Sequence, residues 1–422
     1  MKKQLLLAGL AFCSLATQAQ TLVTDTVIMG SGYANQVWYS LSDDEQGSSP
    51  KNNWDLGFRI KGSMSSDILV NTSGSGAIWT YPKGDKSAWG TVDTTGLSTW
   101  PKMYNMETEW LGALGRYINA SDPYDLGWGK YDMGTHYVNG DSIYIVKTQG
   151  GNFRKLFIKQ LAASAYTFTY ANLDGSDSTT SILNKTAYTG KNYGYFSLDT
   201  KAALNREPLS EEWDLVFGQY PTADYASMGM DGYTVTGVLV NDTLKVAKTK
   251  VTPSSRPTYT AYSGLPFSDN INGIGYTWKS TSGVIQDSVI YFIRRNNGDI
   301  WKLYFTGWVS GVSGNGSAIF AKQLLYTNAI NEATPANTTV VLSPNPATSS
   351  QSVSLVYNIN ASVNAASMQL FDISGRLVHA AALESGAGMH AYTFSTSNLA
   401  AGTYIVNVMA GTERTQQKLI VQ

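Results

Sequence analysis

Imidazole and thioether groups are the side chains of this sequence best suited to holding a transition metal, and they are few. The 422-residue chain has three histidines, His136, His379 and His390. His136 closes the stretch Tyr131-Asp132-Met133-Gly134-Thr135-His136, Met64 lies earlier, and Met228-Gly229-Met230 in the second half corresponds loosely to Ser63-Met64. Met64, Met133, His136, Met228 and Met230 are therefore the candidate binding residues. The same residues have ordinary uses, since a lone histidine commonly makes a structural hydrogen bond and methionine fills gaps in aromatic cores. Catalytic patterns are missing: the sequence has no Gly-x-Ser-x-Gly elbow, no His-Glu-x-x-His, no phosphate-binding glycine loop and no acidic cluster at metal spacing. Glu211-Glu212 and Asp43-Asp44-Glu45 sit beside Pro, Ser and Gly, where solvated charge explains them. The chain reads as non-catalytic, with no catalytic residues and no dedicated metal site.

Such residues need a rigid frame, and composition points to strands. Gly (40), Tyr (26) and Trp (11) are abundant while charged residues make up 14%, the mixture that pleated surfaces and tight turns select. Trp54-Asp55-Leu56-Gly57-Phe58 returns as Trp213-Asp214-Leu215-Val216-Phe217, each preceded by an aromatic run ending in Ser-Leu, at Ser40-Leu41 and Ser197-Leu198. A period of two would put Trp, Leu and Phe on one face and turn Asp55 and Asp214 toward solvent or a turn. Two hairpins follow in matching places, Ile143 to Ile158 through Gly150-Gly151 and Val289 to Phe305 through Asn297-Gly298. Four features in one order predict an internal duplication, as tandem β-sandwich modules over 20–178 and 179–330. The small-residue loop 71–77, which only the first copy has, and the aromatic loop 88–116 are the segments a ligand would approach.

The termini read differently. Residues 1–19, with Lys2-Lys3, an apolar run and Ala19, form a signal peptide that contains the only cysteine, Cys13. The mature chain then has no thiol chemistry. A net charge of −1 without a basic run gives no grip on nucleic acid, and no later segment is apolar enough to span a membrane. A polar linker, 331–338, leads to a small Ig-like β-sandwich over 339–422 with seven short strands.

This last block resembles the type A sorting domain of the Bacteroidetes type IX secretion system. The matching residues are Ser343-Pro344-Asn345-Pro346, Leu370-Phe371-Asp372-Ile373-Ser374-Gly375-Arg376-Leu377-Val378, Leu399-Ala400-Ala401-Gly402-Thr403-Tyr404-Ile405-Val406 and Lys418-Leu419-Ile420-Val421. The resemblance implies partners in that system's translocon and sorting machinery and a secreted or outer-membrane surface location, with Pro344, Asn345, Pro346, Gly375, Arg376, Gly402, Tyr404 and Lys418 as the signal. The first module resembles the haem-binding HmuY family at Tyr39-Ser40-Leu41, Trp54 to Phe58, Asn71 to Ala77, Tyr144 to Thr148 and Gly151 to Leu156. That resemblance implies an all-β sandwich for both modules and haem as a cofactor, with His136 or methionine at the iron. The expected function is a non-catalytic binding protein of the cell surface, with haem as its expected ligand. The alternative is an adhesin or structural protein touching glycan or protein through aromatic loops.

Overall fold

The computed structural model describes residues 21–62, 65–230, 232–326, 338–359, 362–411 and 413–422. The signal peptide with Cys13, most of the linker, and Met64 lie outside the described residues. The fold is all-β, in two compact units that divide at Asn328/Ala329. Among the described residues no helix is long and apolar enough to cross a membrane.

In the first unit each repeat consists of a three-strand arm followed by a body. The first arm is β1 (Val23–Ile28), β2 (Asn35–Ser40) and β3 (Asp44–Pro50). Its body is β4 (Leu56–Arg59), β5 (Ile68–Val70), β6 (Ala77–Thr80), β7 (Gly129–Asp132), β8 (Tyr137–Gly140), β9 (Ile143–Lys147), β10 (Phe153–Ala162) and β11 (Ala165–Asn172). The second arm is β12 (Thr179–Asn184), β13 (Tyr193–Ser197) and β14 (Ala202–Leu204). Its body is β15 (Leu215–Thr222), β16 (Tyr233–Val240), β17 (Lys245–Lys250), β18 (Val289–Arg294), β19 (Ile300–Val309) and β20 (Ser317–Tyr326).

The arms are exchanged. One sandwich packs β14-β13-β4-β5 against a sheet containing β12-β11-β10 with β9 and β6; the other packs β3-β2-β15-β16 against β1-β20-β19-β18-β17. Each arm therefore completes the sandwich of the other repeat, and a boundary at 178/179 does not divide two tandem modules. Connector length explains this. β2 runs antiparallel to both β3 and β15, so β3 and the strand beyond β2 are parallel. Joining parallel strands takes a crossover of about a dozen residues. Only residues 51–55 separate β3 from β4, and 205–214 separate β14 from β15. The chain accordingly runs straight on into the neighbouring sandwich.

Equivalent positions make equivalent bonds. Asp55 Oδ2 accepts the Leu198 N–H at 2.7 Å, and Asp214 Oδ2 accepts the Leu41 N–H at 2.7 Å. Both aspartates are buried, so they face the exchanged arm's turn and not solvent. Asn71 Nδ2 donates to the Lys51 and Trp54 carbonyls, as Asn241 Nδ2 does to those of Ser210 and Trp213. Asn71 thus has a counterpart in the second copy. The cores match as well: Phe58 stacks on Phe168 at 4.8 Å with the arm's Phe196 edge-on at 4.9 Å, and Phe217 stacks on Phe320 at 5.7 Å with Tyr39 edge-on at 5.3 Å. Leu56 and Phe58 enter the first core, while Trp54 packs with Tyr193 and Tyr195 in another cluster. Trp213 likewise leaves Leu215 and Phe217 to pack with Trp38. The expected three-residue stripe therefore fails at its first member, because each strand begins only after the aspartate and the alternation does not reach back to the tryptophan.

The C-terminal unit contains the seven expected strands, β21 (Thr338–Ser343), β22 (Ser352–Ile359), β23 (Ala366–Asp372), β24 (Leu377–Leu383), β25 (Gly388–Ser395), β26 (Gly402–Ala410) and β27 (Glu413–Val421). They form a three-stranded sheet β21-β22-β25 and a four-stranded sheet β24-β23-β26-β27 over one core that includes Leu355, Met368, Leu370 and Val406.

Candidate functional site

The hairpin β7–β8 is inserted between β6 and β9, and its turn carries His136. Asp132 Oδ1 accepts the N–H groups of Gly134 (2.9 Å) and Thr135 (2.8 Å), a side-chain-closed turn that lets His136 adopt a φ of 58°. These backbone bonds, Thr135's first, hold the Asp132 carboxyl below its usual range. Tyr131 Oη meets His136 Nδ1 at 2.7 Å and fixes the ring, leaving Nε2 for another partner.

His136 stands at the edge of a cleft of about 400 Å³. The β10–β11 turn supplies a second wall, where Ala163 and Ser164 at φ 48° and 63° form a two-residue hairpin turn. A third wall is the segment after β12. Ile60, Val138 and Leu161 line the cleft with apolar surface, and Lys61, Lys185 and Lys191 line it with positive charge. Among the described residues no carboxylate lines it. Asp242 neutralises Lys61 at 2.9 Å. Lys185 Nζ donates to the carbonyl oxygens of Ser65 (2.7 Å) and Gly62 (3.3 Å), and Lys191 Nζ to that of Glu207, which orient the ammonium groups without cancelling them. Burial pushes the Lys185 ammonium down to about 8, against the opposing pull of Asp67. At neutral pH the cleft is therefore electropositive, within a chain of net charge −1.

The other candidates are scattered. Met133 is in the same turn as His136 but is 63% exposed and lines none of the cavities described here. Met228 (71% exposed) and Met230 (41% exposed) belong to the second body, beside a short turn at Ala226–Met228, and neither is among the described residues that line the His136 cleft. Gly229, at φ 75°, ends that turn between the two methionines. His379 and His390 stack on aromatic rings of the C-terminal unit, Phe394 and Tyr357 respectively.

Sequence reasoning missed Lys185, Lys191 and the crossing segment that ends the second arm. There the Arg206 guanidinium lies 5.2, 5.4 and 4.9 Å from the ring centroids of Trp38, Trp54 and Tyr195, which belong to both sandwiches. Glu207, beside it, accepts the Tyr195 hydroxyl at 2.7 Å and the Asn192 N–H at 2.9 Å, yet burial still pushes its carboxyl up to about 7. The adjacent Arg-Glu pair before Pro208 was the available signal, and nothing in its spacing marks it as buried.

In the C-terminal unit the signal residues form three local groups. Asn345, between two cis prolyl bonds at Pro344 and Pro346, donates to the Lys418 carbonyl at 2.6 Å and accepts the Ile420 N–H at 3.0 Å. Asp372 accepts from Ser374 and from Arg376 Nε (2.9 Å) across the turn at Gly375, and these bonds lower its carboxyl to about 2. Gly402 and Tyr404 pair with Val421 and Leu419, and the Tyr404 hydroxyl donates to Ala400 at 2.7 Å.

Residues 342–422 match the family model for a secretion system C-terminal sorting domain. This unit is a type IX sorting domain, and the protein is secreted and reaches the cell surface through that system. No curated protein matches the chain. Among solved structures, CHIR-AB1 is similar at 19% identity over 20% of this chain and 97% of its own, with a TM-score of 0.16. Dimeric latent PorU from Porphyromonas gingivalis is 11% identical over 91% of this chain and 40% of its own, with a TM-score of 0.17. The ectodomain of the C. elegans fusion protein EFF-1 is 8% identical over 96% and 90%, with a TM-score of 0.15. Likenesses with such TM-scores carry no argument about fold or function.

Proposed function

We propose that the protein is a non-catalytic binding protein of the cell surface whose ligand is anionic and enters the cleft beside His136. The observation behind this reading is the pairing of an oriented histidine with Lys185 and Lys191 on a cleft that no described carboxylate lines. Haem is the ligand that would use every part of it. His136 Nε2 would hold the iron, the lysines would meet the carboxylates, and Ile60, Val138 and Leu161 would cover the macrocycle. Titrating the full secreted chain with hemin is expected to give a sharp, saturable Soret band that weakens at least tenfold in His136→Ala. Featureless, non-saturating absorbance would remove haem from the reading. The second reading, an adhesin touching glycan through aromatic loops, is favoured by a groove at the junction of the two sandwiches.

A further inference from the structure

The two loops singled out in the sequence meet across that groove. Thr72, from the small-residue loop, and Trp110, from the aromatic segment, line one cavity of about 80 Å³ together with Tyr220 of the second body. Thr72 and Tyr220 are each 8% exposed, and among the described residues their hydroxyl oxygens have no hydrogen-bond partner. Buried hydroxyls are nearly always paired, so these two residues on one cavity wall offer a ligand two uncommitted donors. Neighbouring amides are already committed: Asn71 to the Lys51 and Trp54 carbonyls, and Gln219 to Lys51 and Thr236. The rest of the wall includes Leu69, Leu239 and Ile271. This volume is about half that of a ~150 Å³ cavity that takes up benzene, which suits a group of about four heavy atoms. A wider cleft of about 260 Å³, with Tyr104 and Tyr117 among its walls, shares Asn105, Met106, Glu107 and Pro221 with the small cavity. Glu107 ties the wall together by accepting from Thr222 Oγ1 at 2.9 Å and the Ala223 N–H at 3.2 Å.

We propose that the two spaces form one site for an N-acetylhexosamine at the end of a glycan. The pyranose lies in the wider cleft against the tyrosine rings. Its acetamido group enters the small cavity, where the carbonyl oxygen accepts the hydroxyls of Thr72 and Tyr220 and the methyl meets Leu69 and Ile271. This assignment rests on the adhesin reading and is separate from the His136 cleft, so hemin and sugar titrations succeed or fail independently. The test uses the full secreted chain with N,N′-diacetylchitobiose and with cellobiose, which keeps the linked rings and lacks the acetamido groups. Saturable binding of diacetylchitobiose, at least tenfold tighter than cellobiose, is expected. Tyr220→Phe and Thr72→Val should each weaken it about tenfold while leaving the melting midpoint and the hemin spectrum unchanged. Equal binding of the two sugars would overturn the assignment, as would no binding of either, which would leave the hydroxyls to ordered water. Undiminished binding in a folded Tyr220→Phe variant would also overturn it. Should a variant fail to fold, the comparison of the two sugars on the wild-type chain still decides.

Discussion

Asp55 in the first sandwich and Asp214 in the second hold the same N–H of an exchanged arm, but their other oxygens part company. Asp55 Oδ1 accepts the Gln149 N–H at 2.8 Å, whereas Asp214 Oδ1 accepts Arg295 Nε at 2.8 Å. Lys155 and Lys302 show the same division between shared frame and local variation. Both are buried in equivalent hairpin strands and both pin the long loop of their body, through the Trp89 and Pro257 carbonyls at 2.8 Å. Yet the first of those loops contains the β7–β8 hairpin with His136, and between Lys250 and Val289 the second has only isolated bridges and a short 3-10 turn among the described residues. Duplication thus preserved the bonds that close each sandwich and let the insertions diverge. The cleft draws on both: the insertion supplies His136, and the exchanged second arm supplies Lys185 and Lys191.

The largest test of this comparison is to remove the two closing carboxylates in turn. Asp55→Ala leaves the buried Leu198 N–H unpaired and frees Gln149, while Asp214→Ala leaves the Leu41 N–H and a partly buried guanidinium. Each is expected to cost roughly 3–5 kcal/mol in urea unfolding, Asp214 the more because it strands a charge. A large loss at one position and none at the other would show that the sandwiches are not closed alike. Next comes Glu207, which has no equivalent in the first arm. With its carboxyl raised to about 7, the folded chain holds this proton more tightly than the unfolded chain does. Its contribution is full below the ordinary carboxylate range near 4.5 and is lost as pH rises through 7, by roughly 3 kcal/mol. Melting curves of Glu207→Gln from pH 5 to 8 should be flatter than those of the wild type; an unchanged slope would place the titrating group elsewhere. The smallest effect concerns the cleft. Because Lys185 loses its proton near pH 8, hemin affinity should fall a few-fold between pH 7 and 9 in the wild type and hold steady in Lys185→Arg.

The two Trp-Asp-Leu strands, the hairpins after Ile143 and Val289 and all seven strands of the sorting domain were legible because each announces itself within a few residues, by alternation and by glycine turns. The duplication was legible for the same reason. What the sequence concealed was partnership. Nothing local to Ser40-Leu41 says that its carboxylate is Asp214 and not Asp55, since both lie in identical surroundings, and only the length of the 51–55 connector bears on the choice. The site was half legible. His136 was singled out by residue type, whereas Lys185 and Lys191 come from the second arm and reach the cleft only through the exchange. The methionines were chosen for their chemistry, which carries no information about exposure.

The exchange also sets an order in time. β1 and β2 are synthesised first, but their partners are β20 and β15, so Val23 must wait for Lys322 and Val37 for Phe217. The first sandwich is complete once Leu204 has arrived, while the first arm still has no sheet to join. An unpaired strand is a template for any matching edge. A chain that ended before Leu215 would therefore carry its first three strands with no sheet of its own to join.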